Sequence, residues 1–438
     1  MTSRRFGKTD VEPRYDAEQI ARIRRRSVPA TEKGFGGPTH RSRITVEAIV
    51  ADHPHVRGGL LGTPRALLRE AALTQNITAM ADYCQRHDVT LFPHGKTTMA
   101  PQLWARQLAA GAGGITVATP SQARLARKFG VRRVLVANEI VDEGAIRWVA
   151  QELSADNDFS FLCYVDSLAG VELLEHALAT CGFTGRLHVL VELGHEDGRT
   201  GARGEAAAIE VAGAVGRSGH LELAGIAGYE GSLVAPSVEA TADLARGYCE
   251  RMAQLTLSLL STGHFPQRPV VTAGGSAYFD VVVGALAGTA QWDLVLRSGC
   301  YLTHDHGTYA RLSPFERAQS ATPVLAPALE VWAPVLSRPE PTVAVLGVGR
   351  RDISFDAGNP VALGATTADG TEVVVDTASV DRLFDQHAVA AVPIGSGLEV
   401  GDEVRLGISH PCTTFDKWRW IPVVDDQDRI VDVVRTFF

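Results

Sequence analysis

From about residue 65 the chain alternates short, β-branched apolar runs with longer stretches whose apolar positions recur at helical spacing. Eight runs read as strands: 89–92, 114–117, 133–136, 159–164, 187–192, 222–228, 268–272 and 294–298. Between them, amphipathic patterns predict helices over 67–86, 120–129, 167–180, 203–217 and 237–261, with Pro120 at the first helical position of one of them. Eight β/α alternations in roughly 240 residues have the length and rhythm of a TIM (β/α)8 barrel. A doubly wound open sheet fits less well, because no G-x-G-x-x-G follows the first run.

After about residue 310 the texture changes. Runs such as Thr342–Leu346, Glu372–Asp376 and Val389–Val392 are strand-like and separated by Gly, Asp and Asn turns, which predicts a smaller β-rich domain. The expected organisation is an N-terminal extension over 1–50 that packs on the β domain or remains mobile, a barrel over 51–310 and a β-rich domain over 311–438.

The 438 residues carry 45% apolar and 21% charged side chains and a net charge of −8, the make-up of a soluble globular enzyme with no basic face for nucleic acid. No apolar run approaches the roughly 20 residues of a membrane span. Six cysteines are scattered without a CxxC pair and no secretory apolar region precedes them, so they read as reduced thiols of a cytoplasmic protein. The N-terminal arginines Arg22, Arg24, Arg25 and Arg26 are accompanied by Asp10, Glu12, Asp16 and Glu18, which suits a solvated helix face better than a transit peptide.

Candidate chemistry begins with Lys96, in the run Leu91-Phe92-Pro93-His94-Gly95-Lys96 where a predicted strand ends. An amine at the mouth of an α/β barrel can hold an aldehyde cofactor as a Schiff base, or be an ordinary rim charge. After the seventh predicted strand comes Ala273-Gly274-Gly275-Ser276, and after the eighth comes Arg297-Ser298-Gly299-Cys300. Either is a tight turn on its own, but TIM barrels favour phosphate sites in these two loops. Late in the chain His410 and Cys412 stand two residues apart, a spacing that lets both point the same way from an extended strand. They are two unrelated core residues or a pair suited to Zn²⁺.

Taken in order, Lys96, Gly274-Gly275-Ser276 and Arg297-x-Gly299 resemble the pyridoxal-phosphate enzymes built like alanine racemase. Within them the sequence is similar to the D-threonine aldolase and D-serine dehydratase family, through Pro93-His94-x-Lys96-Thr97, Val191-Glu192-x-Gly194 with Arg199-x-Gly201, Tyr229-Glu230-Gly231, and His410-x-Cys412. The resemblance implies that Lys96 binds the cofactor aldehyde and that Gly274, Gly275, Ser276, Gly299 and Cys300 hold its phosphate. It implies that His94 belongs to the cofactor pocket and that Arg297 faces the pyridine nitrogen. Arg199 and Tyr229 would face inward to contact cofactor or substrate, His410 and Cys412 would hold Zn²⁺, and His387 would stand near the metal.

The activity so implied is dehydration and deamination of a β-hydroxy D-amino acid such as D-serine, with Lys96 as general base and that small molecule as the partner. The aldolase branch tends to carry His-x-Asp where this chain has Cys412, so a D-threonine-type aldolase is the alternative. A non-catalytic pyridoxal-phosphate protein is a remoter one. A homodimer is expected from the resemblance alone. The stretch Thr413–Trp418 departs from the family pattern and leaves the substrate side chain open.

Overall fold

A computed structural model describes residues 15–317, 325–375 and 378–438. Asp10, Glu12 and the end of the predicted run at Asp376 lie outside the described residues. The eight apolar runs form parallel strands: β1 Thr90–Leu91, β2 Ile115–Val117, β3 Arg133–Glu139, β4 Ser160–Val165, β5 Leu187–Glu192, β6 Leu221–Ala227, β7 Val270–Ala273 and β8 Asp293–Leu296. They are hydrogen-bonded in the order β1-β8-β7-β6-β5-β4-β3-β2. A parallel bridge between His94 and Thr116 joins the two ends of that series, so the sheet closes into a barrel.

Parallel strands are covered on both faces, which is why they read as continuous apolar runs. Side chains including Phe92, Leu135, Leu162, Tyr164, Leu190 and Val295 fill the interior. The outer helices start where the sequence supplies a side-chain acceptor for an otherwise unpaired N–H. Thr119, Asp142, Ser167 and Ser237 each cap the helix that follows.

The predicted helix over 67–86 begins as something else. Arg65–Arg69 is a strand, and the helix proper is Glu70–Arg86. That strand pairs antiparallel with Leu329–Glu340 and parallel with Trp420–Val424, far along the chain.

The expected boundaries at 50 and 310 shift accordingly. Among the described residues one compact unit comprises 15–16, Met80–Lys96 and Trp104–Gly299, and the other comprises Ala17–Ala79, Thr97–Leu103 and Cys300–Phe438. The first contains the barrel. In the second, six strands close an antiparallel barrel in the order Val343–Leu346, Ala388–Ala391, Ser379–Leu383, Val361–Thr366, Glu403–Gly407 and Leu329–Glu340, the last pairing back onto the first. Arg65–Arg69, Trp420–Val424 and Ile430–Arg435 extend this sheet.

Its inner charges are paired. Arg69 forms a two-point ion pair with Glu330 at 3.1 and 2.9 Å, Arg65 reaches Glu403 at 2.6 Å, and both guanidinium groups lie over the Trp332 ring. Among the described residues no helix is long and apolar enough to cross a membrane.

Candidate active site

In the barrel unit, polar side chains collect at the C-terminal ends of the strands. β1 ends at Leu91, and Phe92, Pro93 and His94 lead into a single turn of 3-10 helix at Gly95–Thr97. This turn needs glycine at its start. A Cβ on Gly95 would lie 2.8 Å from Ile115 and 3.0 Å from the Trp104 indole, whose Nε1 donates to the Gly95 carbonyl at 3.2 Å. The indole thus fixes the backbone immediately before Lys96, which is half-buried.

Glu139 ends β3, Tyr164 lies in β4, Glu192 ends β5 and Arg297 follows β8. Side chains from alternate strands meet in layers inside such a barrel, and the Glu139 and Glu192 carboxyl groups do so. Burial first, and the charge of Glu192 second, push the Glu139 carboxyl up to about 8. Burial and then the charges of Lys96 and Arg297 hold the His94 imidazole well below its ordinary value, so it is neutral. Arg297 is buried and anchored, donating to Thr272 Oγ1 at 2.6 Å and to the Gly228 carbonyl at 2.5 Å.

Several of these buried atoms have no hydrogen-bond partner among the described residues: His94 Nδ1, the Tyr164 hydroxyl, both Glu139 oxygens and Glu192 Oε2. Buried polar atoms are rarely left unpaired. Such a cluster, with His94 and Tyr164 both within reach of the Arg297 charge and His94 also beside Lys96, is what the binding site of a polar cofactor leaves behind, so these residues fit pyridoxal phosphate. Sequence reading missed Glu139 and Tyr164. The available signal was a carboxyl or phenol at or near the C-terminal end of a mostly apolar strand, Arg133–Glu139 and Ser160–Val165.

The loop after β7 differs from expectation. Gly274 has φ +94°, a left-handed conformation that favours glycine, and a Cβ there would meet Leu296 at 2.6 Å. Its N–H and that of Gly275 both point at the fully buried carboxyl of Glu230, at 3.0 and 2.7 Å. The two donors assigned to a phosphate are therefore taken by a side-chain carboxyl. An anion at this loop must use donors beyond Gly275, such as those of Ser276 and the following turn. Ser298 Oγ, donating to the Gly274 and Gly275 carbonyls at 3.2 and 3.0 Å, ties the loop after β7 to the loop after β8.

Arg199 is more exposed than expected, although its charge still reaches the buried His94 and Tyr164. It lies seven residues beyond the end of β5, in a 195–200 loop of which Arg203 gathers four backbone carbonyls. Its guanidinium still lies 5.1 Å from the centre of the Tyr229 ring. Tyr229 is half-buried, and its N–H donates to the Tyr248 hydroxyl at 3.1 Å.

In the other unit, Cys300, His410 and Cys412 place one ligand atom each within 4.8 Å of one another. His410 and Cys412 are not on a strand. The strand ends at Gly407, and Pro411, with φ −61° and no N–H to give to a sheet, opens the short helix Cys412–Phe415. The turn, rather than strand alternation, brings the two side chains together. His410 Nδ1 lies 2.6 Å from Asp356 Oδ2, and Thr413 Oγ1 donates to Asp356 Oδ1 at 2.6 Å.

Hydrogen bonds from Cys300 and then from His410 pull the Cys412 thiol well below its ordinary value. Cys412, opposed by burial and helped by Asp356, raises the imidazole to about 9. A thiolate beside an imidazole held by a carboxylate is a donor set for a borderline-soft divalent metal, so Zn²⁺ fits. His387 is outside this cluster. It stands exposed at the turn between the strands Ser379–Leu383 and Ala388–Ala391, where it lines an open groove with Arg350, Phe355, Arg382 and Phe384.

Comparison with known proteins agrees with this architecture. The alanine racemase N-terminal domain matches residues 68–303, and a putative serine dehydratase domain matches residues 328–424. The chain belongs to the alanine-racemase-like pyridoxal-phosphate enzymes of fold type III. Among its relatives is the D-threonine aldolase of Arthrobacter sp, 27% identical over 83% of this chain and 89% of that one. The crystal structure of D-threonine aldolase from Filomicrobium marinum superposes with a TM-score of 0.71 at 24% identity, covering 86% of this chain and 95% of that one. D-threo-3-hydroxyaspartate dehydratase from Delftia sp. HT23 superposes with a TM-score of 0.66 at 21% identity, covering 86% and 98%.

Proposed function

We propose that this protein is a pyridoxal-phosphate- and zinc-dependent lyase that dehydrates and deaminates a β-hydroxy D-amino acid such as D-serine, giving an α-keto acid and ammonia. The observation that carries the reading is the pairing of the Cys412 thiol with the His410 imidazole, itself held by Asp356. When bound, pyridoxal phosphate supplies the electron sink that makes a Cα proton removable, and Zn²⁺ supplies Lewis acidity toward a β-hydroxyl.

The chain's own residues do the rest. Lys96 would hold the cofactor aldehyde, and its Nζ as a free amine would take the Cα proton. The phosphate is bound by Ser276 and by the backbone of Gly299 and Cys300. Arg297 is fixed by Thr272 and Gly228 and brings a permanent positive charge to the pocket. His94, neutral beside Lys96, lines the pocket without competing for the proton. Arg199 and Tyr229, stacked at the rim, recognise the substrate carboxylate. His410 and Cys412 hold the metal.

The 27% identity to a D-threonine aldolase favours a second reading, retro-aldol cleavage to glycine and an aldehyde. The same amine, Cα hydrogen and β-hydroxyl would serve, with a base acting on the hydroxyl instead of an acid. The deciding experiment gives the zinc-loaded holoenzyme a panel of D- and L-β-hydroxy amino acids and assays keto acid plus ammonia beside glycine plus aldehyde. Keto acid from a D-isomer supports the dehydratase, glycine replaces it with the aldolase, and no product from any substrate sinks both. A homodimer of cytoplasmic location is proposed as well, and analytical ultracentrifugation tests the dimer.

A further inference from the structure

The structure brings a thiol into the metal cluster that the His410-x-Cys412 motif does not contain. Cys300 follows the Gly299 turn and opens a one-turn 3-10 helix, Cys300–Leu302. Its carbonyl accepts from His304 N–H at 2.7 Å, which fixes the turn. Its Sγ is 3.7 Å from Cys412 Sγ. Two thiolates on one tetrahedral zinc, each about 2.3 Å from the ion, are about 3.8 Å apart. The sulfur separation therefore already has the value a shared metal imposes.

The surroundings agree. A buried cysteine that only packs sits among apolar side chains. Cys300 is 6% exposed and has Thr97 Oγ1 at 3.9 Å and Cys412 as sulfur neighbour, and it lies outside the apolar cluster that takes in Leu302 two residues later. Thr97 Oγ1 also lies 3.4 Å from Cys412 Sγ, so one hydroxyl serves both sulfurs. With Nδ1 of His410 engaged by Asp356, Nε2 is the nitrogen left for an ion.

We propose that Cys300 is a third protein ligand of the metal, making the centre a Cys300, His410, Cys412 site. This rests on the metal-dependent reading above. The consequence is specific. Three protein ligands leave one position of a tetrahedral zinc for a substrate oxygen, and two thiolates with an imidazole select zinc over the harder Mg²⁺ and Mn²⁺. Two thiolates also neutralise the ion's charge, so the centre is a milder Lewis acid than one held by His410 and Cys412 alone.

The test counts sulfur neighbours. The zinc-loaded holoenzyme, Cys300→Ala and Cys412→Ala are compared by X-ray absorption at the zinc edge, and their Co²⁺ forms by the intensity of the thiolate-to-cobalt charge-transfer band. Two sulfurs in the wild type and one in each variant, with the band halved and zinc affinity down by at least about tenfold in Cys300→Ala, is the expected result. Zinc bound with one sulfur in the wild type, or with two in Cys300→Ala, overturns the proposal and leaves the lyase reading intact. A wild type that binds no zinc overturns both. Cys300→Ser is measured alongside, with circular dichroism as the folding control, so that collapse of the alanine variant does not decide the matter.

Discussion

The carboxyl of Glu230 accepts the N–H of Gly275 at 2.7 Å, with the Gly274 N–H on its other oxygen. A side chain from the loop after β6 thus organises the glycine loop after β7 from beneath. Removing it strands two buried donors. Glu230→Ala is expected to cost about 2–4 kcal/mol, from about 1–3 for each unsatisfied group less what water recovers. Glu230→Gln keeps one acceptor and loses less. Chemical denaturation of the apoprotein measures both.

Gly95 is the position at which the smallest side chain does the most harm. Its Cβ would press on Ile115 and Trp104 at 2.8 and 3.0 Å, both held within the barrel, so Gly95→Ala moves the backbone that presents Lys96. We expect a stability loss of about 1–3 kcal/mol, in the range for overpacking. Cofactor affinity is expected to fall by at least about tenfold, one factor of ten per 1.4 kcal/mol. Titration of the apoprotein with pyridoxal phosphate, followed by its visible absorbance, reads the second effect.

Lys96→Ala is expected to abolish the visible absorbance of a covalently held cofactor and to lower turnover by three or more orders of magnitude, since one amine both binds and deprotonates. Added alkylamine that restored the proton transfer without the absorbance would separate the two duties. Unchanged turnover in Lys96→Ala would refute the assignment.

The Glu139 carboxyl, at about 8 in the folded protein against an ordinary 4.5, carries a pH signature. Between those values the native state holds a proton that the unfolded chain has released, so stability falls as pH rises through this window and the loss is complete above about 8. Glu139→Gln removes the titration. Its melting temperature is expected to match that of the wild type near pH 4.5 and to exceed it above pH 8, by about 2–4 °C for each kcal/mol relieved. Calorimetry of the apoprotein across that range shows whether the gap opens with pH; a gap independent of pH would place the strain elsewhere.

Removing the metal by chelation, or its ligand by Cys412→Ala, is expected to lower kcat by at least about a hundredfold while cofactor absorbance persists. The two readouts distinguish loss of the Lewis acid from loss of the cofactor. Zinc added back should restore the chelated wild type and not the variant.

The barrel was legible because its strands are buried on both sides. Runs such as Val189-Leu190-Val191 have no polar face to blur them, and the observed β1–β8 lie within three residues of the expected bounds. The strand Arg65–Arg69 was not legible. Leu67 and Leu68 continue a helical pattern without a break, and what makes them extended is pairing with Glu330 and Leu329 some 260 residues later. Lys96, Arg297, His410 and Cys412 stood out by residue type and order. Glu139 did not, because 53 residues separate it from Glu192 in sequence and only the curvature of the barrel sets the two together. Cys300 was read for its backbone, whereas the direction of its side chain follows from a turn that spacing does not specify.

The division of the chain at Lys96/Thr97 and Gly299/Cys300 bears on how such a protein is made and how it is cut. Each compact unit is assembled from pieces that the other interrupts, so no single stretch of the gene encodes either one. A fragment ending near residue 310 would lack Leu329–Glu340 and Trp420–Val424, the partners of Arg65–Arg69, and would carry that strand into solution with open edges. During synthesis the same exposure lasts until the final strands leave the ribosome, which makes the carboxyl-terminal hundred or so residues the step on which the earlier ones wait.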